Sequence, residues 1–426
     1  MSRLAVVGTG YVGLTAGACL AELGHQVVCI DSDPDKIARL AVGDVPIVEA
    51  GLEDYVVGGI RSGRLSFTTE LIDGVLGVDA VLLSLPTPVE PDGSTDLSAL
   101  EEVCRELGVH LEKETVVVIR STVPVGTARR MPEILGRSDL PVVTNPEFLR
   151  EGTAVSDFLN PDRIVVGSDN PQAAALVASL YEALDVPKVV TDPSAAEMIK
   201  YASNAYLVTR LSFINSIAAV CEGLNADVDA VVTGLGLDHR IGSAYLRPGP
   251  GWGGSCFPKD TRSLVDMARR GGYEFRFLET AIAVNEEQFD RVVAKVERAV
   301  GGALDGRCIA VWGLTFKAGT DDHRDSPSVA VIERMMAAGA RVVAYDPTVT
   351  QHTDLLPVGL GLGVDPISVC QGADALVILT EWSEFTTVEP RAVFQALAKP
   401  NVVDTRGILD RAHWETLGFD VGSIGR

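Results

Sequence analysis

One cysteine of the seven in this 426-residue chain stands apart by its neighbours. In GGSCFPKD, residues 253–260, Cys256 follows two glycines and a serine and precedes Pro258, a residue suited to the first turn of a helix. Gly251, Gly253 and Gly254 let the backbone bend and approach a ligand closely. A thiol at a helix N-terminus has its pKa lowered, a nearby lysine such as Lys259 lowers it further, and the thiolate is the nucleophile. Asp260 lies four residues beyond the thiol. The other six, Cys19, Cys29, Cys104, Cys221, Cys308 and Cys370, sit in apolar helical or strand patterns and read as small core fillers. No CxxC pair and no HExxH occurs, so no metal is expected.

A second constellation begins at residue 3. RLAVVGTGYVGLTAGACLAELGHQVVCIDSD holds an apolar run, then Gly8, Gly10 and Gly13 in GxGxxG spacing, an Ala/Leu-rich helical segment, a second apolar run and Asp31. Gly8 serves the tight turn, Gly10 the approach of backbone to a pyrophosphate, and Gly13 close packing of helix on strand. Asp31 is placed to bind both ribose hydroxyls and would repel a 2′-phosphate, which favours NAD over NADP. A dinucleotide site with an activated thiol predicts aldehyde chemistry. The thiol adds to the carbonyl, hydride transfer gives a thioester, and water releases an acid. Preceded by an alcohol oxidation, one site converts a primary alcohol to a carboxylate.

These groups need a frame. Strand-like runs at 79–85, 115–122, 141–145, 163–167 and 188–191, with helical stretches between several of them, predict a doubly wound, mostly parallel sheet. Ligands bind such sheets beyond the carboxyl ends of the strands, so the loops 85–88 and 121–127 are expected to face cofactor. Residues 194–222 contain no Pro or Gly and show helical spacing, with Ser194 as N-cap and Glu197 closing a capping box. Lys200 and Asn204 share one face of that helix. By spacing alone they read as a solvated lysine and its polar neighbour. Residues 307–346 repeat strand, helix and strand, ending in Asp346 but without the glycine fingerprint. Lys317 and Arg324 lie in its place, which suits another phosphorylated ligand. The fold class expected is therefore α/β: an N-terminal Rossmann-like sheet (1–192), a central helical segment (193–302) and a second Rossmann-like α/β domain (303–426).

Lys and Arg number 36 against 58 Asp and Glu, a formal charge of −22. That excludes the basic surface that nucleic acid and anionic membranes need, though not a local cation cluster for a small anion. No run of about 18 uncharged apolar residues is seen, and the N-terminus reads straight into a strand. A reducing, cytoplasmic setting is expected.

Taken in order, GTGYVGL, DSDPDKI, PIVEAGL, STVPVGT, NPEFLREG, NPDRIVVG, AAEMIKYASNA, RIGSAYLRPGPGWGGSCFPKD, FKAGTDDHRDSPS, YDP, TEWSEF and DTRG span essentially the whole chain. This series resembles the UDP-glucose/GDP-mannose dehydrogenase family. The resemblance implies a four-electron oxidation of UDP-glucose to UDP-glucuronate with two NAD per cycle. The alternative is the same chemistry on GDP-mannose, dTDP-glucose or a UDP-N-acetylhexosamine. It also implies a homodimer built on the long helix. Cys256 would be the nucleophile, and Lys200 and Asn204 would stabilise the oxyanion. Asp260 and Thr122 would order water, and Glu147 would serve thioester hydrolysis. For NAD the family pattern implies the glycine loop with Tyr11 and Val12, then Asp31, Lys36, Thr87 and Thr122, and further on Glu151, Lys259 and Arg324. For the nucleotide sugar it implies Glu147, Phe148, Leu149 and Arg150, with Lys200 and Asn204. It adds Tyr245, Leu246, Arg247, Gly249 and Gly253, then Lys317 and Arg406, while Arg240 would reach the partner's substrate. Departures from the family pattern are Trp252 and Tyr245 at positions of other aromatics and DTRG for the commoner DGRN.

Overall fold

A computed structural model describes all residues, 1–426. The chain divides into two compact units. The first is Met1–Ser203 with Arg262–Tyr273, and the second is Asn204–Thr261 with Glu274–Arg426.

The first unit is an eight-stranded sheet of β1 (Arg3–Val7), β2 (Gln26–Ile30), β3 (Leu65–Thr68), β4 (Ala80–Leu83), β5 (Val116–Ile119), β6 (Val142–Thr144), β7 (Ile164–Gly167) and β8 (Lys188–Thr191). Its order is β3-β2-β1-β4-β5-β6-β7-β8, and every pairing is parallel except β6 with β7. β1 lies between β2 and β4, with Leu4 opposite both Val27 and Ala80. Side chains alternate between two cores: Leu4, Val6 and Leu82 pack on one face, Ala5, Val7 and Leu83 on the other. Burial on both faces is why these strands read as unbroken apolar runs. β3 escaped sequence reading because it is a four-residue edge strand, LSFT, with polar residues in it.

The second unit carries β9 (Cys308–Trp312), β10 (Arg341–Tyr345), β11 (Gly361–Leu362), β12 (Ala375–Ile378), β13 (Asn401–Asp404) and β14 (Asp420–Ser423), ordered β11-β10-β9-β12-β13-β14 and all parallel. This repeats the order of the first six strands of the first unit. The repetition extends to atoms. Gly8 (φ +93°) donates to the Ile30 carbonyl at 2.8 Å and Thr9 N to Asp31 Oδ2 at 2.8 Å. Gly313 (φ +97°) donates to the Tyr345 carbonyl at 2.8 Å and Leu314 N to Asp346 Oδ2 at 2.8 Å. The second copy differs where a dinucleotide would sit. Thr315 replaces the second glycine, and Asp346 is buried, its Oδ2 also taken by Thr315 and the Trp382 indole. β11 and β14 were not foreseen, since two residues and the polar DVGS carry no apolar run.

The long helix runs Pro193–Leu224, 32 residues. Its start corrects the expected capping box. Pro193 takes the first helical position, and the cap is Asp192, whose Oδ1 accepts from Ala195 N at 3.2 Å. Glu197 is then the fifth helical residue, too far along to serve its own N-terminus. Its carboxylate instead accepts from Gly126 N (2.6 Å) and Ala128 N (2.8 Å), where helix Thr127–Leu135 begins. In the second unit Tyr206, Phe213, Val220 and Leu224 of the long helix are exposed, the first three seven residues apart. By length and composition this helix could cross a bilayer, but Ser212 and Asn215 spend their hydrogen bonds inside the protein, on the Ala281 carbonyl and Gly249 N.

Candidate active site

The first unit offers a dinucleotide cradle at the carboxyl ends of β1, β2, β4 and β5. A Cβ on Gly13 would stand 1.9 Å from the Gly8 carbonyl oxygen, and one on Gly8 2.5 Å from the Ser84 oxygen, so both positions exclude a side chain. A Cβ on Gly10 would meet nothing within 4 Å. The turn is thus closed behind and open in front, where the start of helix Tyr11–Glu22 leaves N–H groups without intrahelical acceptors. These residues fit a dinucleotide pyrophosphate. Asp31, ending β2, accepts from Thr9 N, Thr9 Oγ1 (2.7 Å) and Lys36 Nζ (2.9 Å). Burial pushes its carboxyl up, but the Thr9 and Lys36 hydrogen bonds outweigh that and hold it at about 2. Thr87 donates to the Thr122 carbonyl at 2.8 Å, joining the loops after β4 and β5. Glu151 lies in the turn before helix Ala154–Leu159.

In the same unit Lys200 Nζ donates to Glu147 Oε1 (2.8 Å) and to the Glu147 carbonyl (2.7 Å), with both side chains at most 6% exposed. The second carboxylate oxygen of Glu147 accepts from Leu149 N at 2.7 Å. Burial raises the Glu147 carboxyl, and the Lys200 ammonium more than reverses this, leaving it below the ordinary glutamate value. Lys200 is therefore no solvated lysine. Its ammonium also stands 5.5 Å from the centre of the Phe148 ring, which Arg163 covers at 3.5 Å.

In the second unit Cys256 immediately precedes helix Phe257–Arg270, and its carbonyl accepts the bond from Asp260 N (2.9 Å). The thiol is half-buried, 3.6 Å from Ser255 Oγ. All six other cysteines are buried, and burial pushes Cys19, Cys29, Cys104 and Cys370 up to about 12. Asp260, 1% exposed, receives Asn204 Nδ2 on one oxygen and Lys259 Nζ on the other, each at 2.6 Å. The loop ahead of the cysteine is shaped by close approach. A Cβ on Gly253 would lie 2.0 Å from the Asp325 carbonyl oxygen, which also accepts from Gly254 N at 3.2 Å.

Three family models match the chain: the UDP-glucose/GDP-mannose dehydrogenase NAD binding domain over residues 2–185, the central domain over 194–287 and the UDP binding domain over 310–411. The chain belongs to the UDP-glucose/GDP-mannose dehydrogenase family. A UDP-glucose 6-dehydrogenase of Rhizobium meliloti is 44% identical, with 100% of this chain and 99% of that protein aligned. The structure of a UDP-glucose dehydrogenase from Pyrobaculum islandicum superimposes with TM-score 0.90 at 37% identity, covering 97% of this chain and 96% of the other. That of a UDP-D-ManNAc dehydrogenase from Pyrococcus horikoshii gives 0.88 at 26% identity, covering 100% and 99%. As a member of this family the chain is an NAD-dependent nucleotide-sugar dehydrogenase.

The remaining residues that the family pattern pointed to fall into place by unit. In the first, Arg150 is exposed and held by Asp157. In the second, Arg406 donates to the carbonyls of Leu379 (2.7 Å) and Phe316 (3.0 Å) and pairs with Glu381, 3.6 Å from where a Gly249 Cβ would be. Lys317 stands beside the Phe316 ring, Arg324 is held by Asp322, and Arg247 reaches the Gly407 carbonyl. Gly249 is fixed by Asn215 and by Gln288, and Tyr245 adopts a left-handed backbone (φ +57°) beside Phe257, with Leu246 buried. Arg240, 78% exposed, is held by Asp238 and engages none of the others. Sequence reading assigned no role to Glu49, Asn215, Gln288 or Arg120. The first lies in the quoted PIVEAGL, which was a signal. The others are single polar residues in helices or a strand end and show their use only through contacts between distant segments: Asn215 and Gln288 on Gly249, and Arg120 donating to Asn145 Oδ1 and the Tyr181 oxygen, both at 2.7 Å.

Proposed function

We propose that this chain is a UDP-glucose 6-dehydrogenase: UDP-glucose + 2 NAD⁺ + H₂O → UDP-glucuronate + 2 NADH + 3 H⁺. The observation that carries the covalent mechanism is Cys256, half-buried at the start of a helix whose next turn holds Asp260 in a buried bond to Asn204. The substrate follows the relatives at 37–44% identity, which are named for UDP-glucose, over the UDP-ManNAc enzyme at 26%.

Bound NAD⁺ supplies the hydride acceptor for both oxidations. The residues that would hold it are the glycine turn with Tyr11 and Val12, Asp31 and Lys36, and Thr87, Thr122, Glu151, Lys259 and Arg324. In the first oxidation the C6 hydroxyl proton passes to water ordered by Asp260 and Thr122. In the second, the Cys256 thiolate adds to the C6 aldehyde, forming a C–S bond and an oxyanion. The Lys200 ammonium and the Asn204 amide meet that charge; such preplaced donors contribute on the order of 10²–10³ in rate. Loss of hydride from C6 leaves a thioester. Glu147, kept ionised beside Lys200, takes a proton from the attacking water, the C–S bond breaks, and the thiolate is restored.

Residues 147–150, Lys200, Asn204, 245–249, Gly253, Lys317 and Arg406 hold the nucleotide sugar. The division into an NAD domain (1–192), a dimerisation segment (193–302) and a nucleotide-sugar domain (303–426) belongs to this reading. So does a cytoplasmic homodimer across the exposed Tyr206–Phe213–Val220 stripe, with Arg240 reaching the partner's substrate.

The test is a count. A limiting, known amount of UDP-glucose with excess NAD⁺ is expected to yield two NADH and UDP-glucuronate, and Cys256→Ser should make no acid. One NADH per sugar from the wild type would remove the thioester from the mechanism. Turnover of another nucleotide sugar with none of UDP-glucose would change the substrate and leave the chemistry.

A further inference from the structure

We infer that Glu49 is a positioning residue of the NAD site, its carboxylate clamping the turn that carries Glu151 to the first residue of the phosphate-facing helix. Glu49 lies in PIVEAGL, on an irregular segment between helices Pro34–Ala41 and Leu52–Arg61, and is 9% exposed. Oε1 accepts from Ala154 N at 2.7 Å, and Oε2 accepts from Gly152 N at 2.6 Å and from the Tyr11 hydroxyl. Gly152 N also reaches the Tyr11 oxygen at 2.6 Å, so phenol, carboxylate and turn form one closed triangle.

What the triangle joins gives it a role beyond packing. Tyr11 opens the helix whose first N–H groups face the open side of Gly10. Gly152 follows Glu151 directly. The segments are 38 and 103 residues from Glu49 in sequence, and none of them is paired to another as strand or helix. A buried carboxylate on N–H and O–H donors makes strong, charge-assisted bonds, and removing it leaves those donors desolvated without an acceptor. The geometry of Glu151 relative to the pyrophosphate turn thus rests on the Glu49 carboxylate together with the Tyr11 hydroxyl. This inference depends on the NAD reading and not on the identity of the sugar.

The experiment measures NADH binding to the full chain by fluorescence titration, beside KM for NAD⁺ and for UDP-glucose. Glu49→Ala is expected to weaken NADH about tenfold, ~1.4 kcal/mol. Glu49→Gln, which keeps one acceptor oxygen, recovers part of this. Tyr11→Phe, which deletes only a hydroxyl, weakens NADH about threefold, ~0.65 kcal/mol. In all three, KM for UDP-glucose should stay within about twofold. NADH affinity unchanged in Glu49→Ala and Tyr11→Phe overturns the clamp. So does a matched rise in both KM values, which would mark a role in general stability. If Glu49→Ala does not fold, Glu49→Gln decides, since its amide nitrogen cannot accept one of the two backbone N–H bonds. A wild-type chain that binds no NADH would sink the NAD reading and the clamp with it, an outcome distinct from wild-type binding with unaffected variants.

Discussion

At the scale of residues, the seven thiols divide by environment. Cys19, Cys29, Cys104 and Cys370 are packed among apolar side chains that disfavour the thiolate, whereas Cys256 is half-buried in a glycine-rich turn at a helix start. Alkylation of the folded protein by a small thiol reagent is therefore expected to modify Cys256 first, at one equivalent per chain, as read by peptide mass mapping. Preferential labelling of any buried cysteine would contradict this assignment. Chemical type and local spacing were enough to single out this residue. They were not enough for Lys200, whose buried pairing with Glu147 across 53 positions reverses the reading of a solvated lysine.

At the scale of elements, the long helix also serves a neighbouring helix. Glu197 leaves its own N-terminus to Asp192 and caps Thr127–Leu135, the helix that follows the loop containing Thr122. Glu197→Ala should cost about 0.5–2 kcal/mol in urea unfolding, the usual range for a lost cap, and Glu197→Gln less, because an amide oxygen still accepts. Equal stability of Glu197→Ala and wild type would refute the cap. Farther along, Tyr206, Phe213 and Val220 present exposed apolar surface at heptad spacing. Phe213→Arg is expected to shift the species seen in sedimentation from dimer to monomer. A wild-type monomer at micromolar concentration would end the dimer reading.

For the whole molecule, acid stability is set by the groups whose proton affinity the fold shifts. His25 is buried, taking Ser2 N on Nδ1 (3.2 Å) and contacting the Leu180 carbonyl through Nε2 (2.9 Å). Burial lowers its pKa from 6.5, and the Leu180 bond only partly offsets this. A base with a depressed folded pKa contributes stability above 6.5 and loses it as pH falls through the folded value. The carboxyls of Asp31 and Glu147 are also depressed, from 3.8 and 4.5, so their contributions persist until pH falls below those values. Unfolding free energy should therefore begin to fall just below pH 6.5, with a second decline below about 4.5. His25→Gln should flatten the first step alone. An unchanged slope between pH 6.5 and 5 in that variant would count against His25 as its source.

The order of apolar runs, the glycine spacing, Asp31 at the end of its strand and the GGSCFPKD turn could all be read along the chain, because each depends on neighbours within about 30 residues. From them came two Rossmann-like sheets, the long helix, a dinucleotide site and a candidate nucleophile in Cys256. Strands of two to four residues without an apolar run, β3, β11 and β14, could not be read, since pairing with one neighbour defines them. Only the tertiary structure decided that Asp346 is consumed by Leu314, Thr315 and the Trp382 indole while Asp31 stays with Thr9 and Lys36. The two strand ends look alike in sequence. Which carboxylate is left for a ligand depends on what the fold brings against it, and a hydrogen-bond donor from a distant segment leaves no mark in local spacing.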